Sequence, residues 1–206
     1  MDPFDVFGIP PGFDLEIGAL ERRQRELARV VHPDRFARAG AVERRRALSR
    51  AVDVNEALRV LRDPVRRAEA LLQRLGVASG ELAEPKAPPH LLMEMMEQRE
   101  ALAAAHEDGN KAELERLGAW ARAREAGVLG ELSAGFARAL AAVGEGAGGS
   151  AGEGAGGKAG EGAGGLVGRL GELRYLRRFV DEVDAFEEDL ASRPERGAEG
   201  ASEGLR

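Results

Sequence analysis

The chain has 206 residues, 43% of them hydrophobic but only 4% aromatic, so a core is affordable and must be built from Leu, Val and Ala. With no cysteine, a disulfide framework, a thiolate metal site and a cysteine nucleophile are excluded, and His32, His90 and His106 are too irregularly spaced for a histidine metal site. The net charge of −6 is uneven: residues 1–76 carry 15 Lys/Arg and 12 Asp/Glu (+3), the remainder 15 and 24 (−9), which fits two surfaces for different partners or a chance asymmetry of solvated faces.

In chain order, residues 15–31 place Leu20, Leu27 and Val31 at helical spacing, with Asp14 in an N-cap context. That helix stops at His32-Pro33, because proline pushes the preceding residue out of the α region. A second periodic segment, 41–62, puts Leu48, Val52, Asn55, Leu58 and Leu61 on one face. Pro64 opens the next helix as a first-turn residue, and Gly76 closes it. Residues 77–90 hold three prolines and read as a linker. Helical pattern returns over 91–107 and 111–143, turning at Gly109-Asn110, and a last helix covers 166–190 before a polar tail, 191–206. No run of alternating β-branched residues is present, so the predicted class is all-α.

Residues 144–165 contain 12 of the 28 glycines and repeat the unit GEGAGGSA. A phosphate-binding loop would need a preceding strand and Gly-Lys-Ser/Thr, whereas Lys158 is followed by alanine. Short exact repetition of this kind predicts a disordered, flexible Gly-rich loop. No apolar run approaches a membrane span, and MDPFDVFG lacks the basic-then-apolar order of a signal peptide, so a cytoplasmic location is expected.

The most informative residues are His32-Pro33-Asp34 between two helices. Pro33 stiffens the turn, so His32 and Asp34 project at little entropic cost, and a carboxylate there can accept from a partner arginine. Arg22, Arg25 and Arg29 line the helix before it and Arg35-Phe36 follow it. With the opening DPFDVFGIP and the later VNEALRVLRDP, residues 2–75 resemble a J-domain, the module that stimulates ATP hydrolysis by DnaK-type chaperones. The resemblance implies chaperone binding by His32, Pro33, Asp34, Arg22, Arg25, Arg29 and Arg35, and a core containing Phe4, Phe7 and Phe36.

Farther on, LLMEMMEQREAL (91–102) has more apolar surface than one packed face requires. Leu91, Met95 and Leu102 form one stripe, and Leu92, Met93 and Met96 another, with Glu97 and Glu100 beside it. Periodicity leaves open whether the second stripe is buried or is an exposed patch for a protein partner. A J-domain, a linker, LMEMMEQRE and a late LRYL together resemble the HscB family, co-chaperones of iron–sulfur cluster biogenesis. The resemblance implies a three-helix C-terminal domain that binds the cluster scaffold protein through Leu92, Met93, Met96, Glu97, Glu100 and Tyr175, while the J-domain engages a DnaK/HscA-type chaperone. It covers nearly the whole chain except 144–165 and the tail, and departs where Ala104 replaces a further acidic position.

The expected organisation is therefore a J-domain hairpin over 1–76, a linker over 77–90, and a C-terminal three-helix bundle over 91–190 interrupted by the 144–165 loop. The expected role is ATPase activation and delivery of the scaffold, promoting cluster transfer and iron–sulfur protein maturation. A general J-domain co-chaperone for protein folding is the alternative. No cofactor, resident metal, membrane or nucleic-acid partner is expected, and no residue constellation supports an enzyme. Trp120 is expected in the core or as a half-buried anchor, His90 at a helix start, and His106 on a solvated turn.

Overall fold

A computed structural model describes residues 1–30, 40–77, 89–146 and 155–192. Seven helices carry the described chain: α1 (Pro3–Phe7), α2 (Ile17–Val30), α3 (Ala41–Arg62), α4 (Pro64–Arg74), α5 (Pro89–Glu107), α6 (Lys111–Gly146) and α7 (Ala155–Ser192), and there is no strand among the described residues. The expected boundaries at 41, 62 and 64 coincide with these helices.

Local chemistry explains the ends. The Asp2 carboxylate accepts from Phe4 N (2.8 Å) with Pro3 in the first turn of α1. Asp63 does the same for α4, accepting from Val65 N (2.8 Å) and Arg66 N (3.0 Å) ahead of Pro64. Gly76 (φ 73°) and Gly109 (φ 66°) take the left-handed conformation that ends α4 and α5. In each case the next residue's N–H returns to a carbonyl five residues back, Val77 to Leu72 (2.9 Å) and Asn110 to Ala105 (2.8 Å). Asn110 then starts α6, its Oδ1 accepting from Glu113 N at 3.1 Å.

The start of α2 differs from expectation. The helix begins at Ile17, with the Glu16 carbonyl accepting from Ala19 and Leu20, and Asp14 instead accepts from the Ser133 hydroxyl. In α3 the face is also shifted. Ala47, Val54, Ala57 and Leu61 are buried, whereas Leu48 and Val52 are more than half exposed and Asn55 is exposed. Close packing of α3 against α1 and α2 uses small alanines, which a count of large apolar residues overlooks.

The Gly-rich block is helical at both edges: α6 continues through Gly146, and α7 already runs from Ala155. The expectation of a loop across all of 144–165 fails at 144–146 and 155–165; residues 147–154 lie outside the described part. Glycine disfavours a helix interior by about 1 kcal/mol relative to alanine, but lengthening an anchored helix adds a hydrogen bond per residue without a new nucleus.

Two compact units emerge. One comprises residues 1–87 and 125–175, the other 88–124 and 176–206. These differ from the expected division at 76 and 91, because the middle of α6 and the first part of α7 group with the N-terminal helices. The first unit buries Phe4, Phe7, Leu61 and Leu71 together with Leu132, Phe136, Leu170 and Leu173. Phe13 stacks on Phe136 with ring centroids 5.5 Å apart, and Arg174 bonds Glu69. The second unit is a three-helix arrangement of α5, the start of α6 and the end of α7, burying Leu91, Leu102, Leu114, Leu117, Leu176 and Phe179. Over 111–144 α6 is long and apolar enough to cross a membrane, but its buried Leu114, Leu117, Ala121, Val128, Leu132 and Phe136 recur at core-helix spacing.

Candidate partner-docking surfaces

In the first unit, α2 and α3 lie antiparallel. The Gln24 side-chain amide donates to Asn55 Oδ1 at 3.1 Å, and Glu21 lies 3.6 Å from Arg62. This pairing puts the end of α2 and the beginning of α3 at the same end of the hairpin. Arg22, Arg25 and Arg29 are exposed on α2. Arg22 is held by Glu16 at 2.9 Å, and Arg23 reaches the Phe7 carbonyl at 3.4 Å. His32, Pro33, Asp34, Arg35 and Phe36 lie outside the described residues, so the structure brings three of the seven expected chaperone-binding residues onto one element and does not address the other four.

The base of the hairpin is held by a residue that periodicity did not single out. Arg67 on α4 is only 7% exposed. Its guanidinium donates to the carbonyls of Leu61 (2.7 Å), Arg62 (3.3 Å) and Phe13, and lies 5.5 Å from the Phe13 ring centre. Burial pushes its pKa below the ordinary arginine range, opposed by the charges of Asp14 and Asp63. Arg74, near the surface, is pulled the other way by hydrogen bonds from its guanidinium to Asp2 and Asp5. Together these arginines tie α4 to the chain start and to the loop before α2.

In the second unit, α5 resolves the question of two stripes. Leu91, Met95, Leu102 and Ala105 are buried, while Leu92, Met93 and Met96 are 40%, 62% and 62% exposed. Met93, Met96, Glu97 and Glu100 follow at intervals of three, four and seven residues, and so share one helix face. Glu97 and Glu100 are exposed, giving an apolar ridge with an acidic edge; Glu94 is drawn aside toward Arg124 at 3.5 Å. Ala104 is exposed and adds no charge to that edge. Tyr175, 37% exposed on α7, belongs to the first unit.

Behind the ridge the three helices are cross-linked. Trp120 is half-buried and meets the Phe179 ring edge-on at 5.8 Å, as expected of an anchor. His106 departs from expectation: it sits in the last turn of α5, stacked on Phe186 at 4.0 Å, with Nε2 2.8 Å from an Asp189 carboxylate oxygen. His90 is exposed in the first turn of α5.

Comparison with known proteins gives the chain its relatives. The family model described as the HSCB C-terminal oligomerisation domain matches residues 87–147, the span that contains α5 and α6. The co-chaperone protein HscB homolog of Azoarcus sp. (strain BH72) is 44% identical over 116 residues, 56% of this chain and 66% of its own length. For the homolog of Bordetella petrii the aligned share of its own length is 63%, so the chain spans just under two thirds of each of these relatives. The homolog of Bordetella pertussis (strain Tohama I) is 42% identical over 136 residues, 64% of this chain and 78% of its own length. Among solved structures, chaperone HscB from Vibrio cholerae superposes with a TM-score of 0.73 at 27% identity, covering 92% of this chain and 99% of that one. The human co-chaperone HscB, at 20% identity and a TM-score of 0.72 over 90% of this chain and 81% of that one, shares the fold.

Proposed function

Because the chain belongs to the HscB co-chaperone family, we propose that it stimulates the ATPase of a DnaK/HscA-type chaperone and delivers an iron–sulfur cluster scaffold protein to it, promoting cluster transfer. The observation that carries the reading is the α5 ridge. Three large apolar side chains stand exposed with Glu97 and Glu100 beside them, although the same helix buries a complete second stripe. A soluble helix has no structural need for such a face, and methionines suit a contact that must form and release. Tyr175 is assigned to the same partner through the family resemblance.

The J-domain segment does no chemistry itself. Chaperone binding by His32, Pro33 and Asp34, together with Arg22, Arg25, Arg29 and Arg35, accelerates hydrolysis by favouring the transition-competent state of the ATPase over its resting state. One chain joining two weak contacts raises the effective concentration of scaffold at the chaperone, which suits a transient handoff.

Separation of the two activities tests this. His32→Gln abolishes ATPase stimulation and leaves scaffold affinity unchanged. Leu92→Ala with Met96→Ala weakens scaffold binding by roughly tenfold or more, with basal stimulation retained. Normal scaffold affinity in the double alanine variant, measured by calorimetric titration, overturns the assignment of the ridge.

A further inference from the structure

Sulfur in this chain is concentrated on one turn of α5. There is no cysteine, and of four methionines three are Met93, Met95 and Met96. The structure sorts these three by access: Met93 and Met96 are each 62% exposed on the ridge, whereas Met95, on the same turn, is 6% exposed in the core. Leucine, valine and alanine supply most of the apolar surface elsewhere, and apart from Met1 the chain uses methionine nowhere else. Flexibility suits methionine to an adaptable contact, and its thioether brings a second property, reversible oxidation.

We propose that Met93 and Met96 form an oxidisable site at which peroxide releases the scaffold protein from this co-chaperone. This rests on the reading of the α5 ridge as the scaffold-docking surface and adds its regulation. The sulfur lone pair attacks one oxygen of hydrogen peroxide, the S–O bond forms as the O–O bond breaks, and the departing hydroxide takes up a proton to leave as water. Each thioether loses two electrons and becomes a sulfoxide, and each peroxide gains them. Methionine sulfoxide reductase runs the change back, a dithiol supplying two electrons and ending as a disulfide, with water released.

The surroundings make the new oxygen hard to accommodate at a docked interface. Glu97 follows Met93 by four residues and Glu100 follows Met96 by four, so a carboxylate stands one turn along the same face from each sulfur. A carboxylate only accepts, and cannot satisfy a sulfoxide oxygen. Arg99, a donor on the same turn as Glu100, lies 3.5 Å from Glu182 on α7. Water satisfies the sulfoxides on the free protein, and docking strips that water away. The chaperone arm is insulated chemically, because residues 2–92 contain no sulfur.

The test treats the full-length protein with hydrogen peroxide, removes the peroxide, and titrates the scaffold protein calorimetrically. Peptide mass spectrometry of the folded protein shows Met93 and Met96 oxidising roughly tenfold or more faster than Met95, which needs a local opening to react. Oxidation of both weakens scaffold binding roughly tenfold or more, and methionine sulfoxide reductase restores it. Stimulation of the ATPase by this protein without scaffold is unchanged. Met93→Leu with Met96→Leu sets its own reference affinity, and peroxide then changes that affinity no further, although Met1, 86% exposed, still oxidises.

Undiminished affinity with both sulfoxides present overturns the proposal. An equal peroxide effect on the double leucine variant overturns it too, since the sensitive group would then lie elsewhere. So does a fall in helicity on oxidation, or affinity that the reductase does not restore, because the effect would then be damage to the fold. Failure of the ridge reading is distinguishable: Leu92→Ala with Met96→Ala then binds scaffold normally without any peroxide, and the proposal falls with it.

Discussion

Arg67 illustrates how one side chain can organise a small domain. A buried guanidinium is costly to desolvate, and it persists because three carbonyls and the Phe13 face satisfy it. Phe13 in turn stacks on Phe136, so the same cation sets the loop before α2 and the seat of that loop on α6. Arg67→Met leaves the carbonyls of Leu61, Arg62 and Phe13 without this donor, and is expected to cost about 2–4 kcal/mol in urea unfolding. Arg67→Lys can serve fewer carbonyls at once and recovers only part of the loss. A neutral effect for Met shows that the carbonyls find other donors. Nothing in the sequence marks this residue, since an arginine on α4 reads as a solvated face until distant Phe13 is brought beside it. His106 is a similar case, because its partners Phe186 and Asp189 lie far along the chain.

Helices were largely legible where short-range chemistry decides. Asp63-Pro64, Gly76 and Gly109-Asn110 mark ends through capping and positive φ, and those signals are local. The two stripes of α5 could be drawn from spacing alone, and the structure decides which one faces water. Less legible was the role of glycine inside helices. Gly135 on α6 is a point of close approach: a Cβ there would lie 2.3 Å from the Leu166 side chain on α7. Gly127 has open space around the same position. Gly135→Ala is therefore expected to destabilise by about 1–3 kcal/mol through overpacking, whereas Gly127→Ala stabilises by about 0.5–1 kcal/mol through helix propensity. Thermal unfolding of the two single variants distinguishes them, and equal shifts of the same sign would remove the packing role of Gly135. The five-residue α1 shows the opposite limit, since it is far too short to be stable alone and is held by burial of Phe4 and Phe7.

At the scale of the molecule, sequence and structure divide the chain differently. Composition shifts at the proline-rich 77–90 segment mark a boundary between an N-terminal module and a C-terminal bundle. Compactness instead gathers residues 125–175 with residues 1–87. The reason is physical: a linker is visible as local composition, but a shared core depends on which distant apolar residues meet. Phe136 on α6 is fully buried in a unit that includes Phe13, and Ser133 and Arg174 bond Asp14 and Glu69 in the same unit. A fragment comprising residues 89–192 loses all of those partners. It is expected to unfold at lower urea concentration than the full chain, with amides of 129–136 and 170–175 exchanging markedly faster. Amides of 91–105, whose packing lies in the other unit, exchange much closer to their full-chain rates. Autonomous domains divided at the 77–90 segment would give unchanged protection throughout, so hydrogen exchange on the fragment decides between the two divisions. If the shared core holds, deletion of the N-terminal helices is a poor control for scaffold binding, and His32→Gln is the cleaner way to silence the chaperone arm.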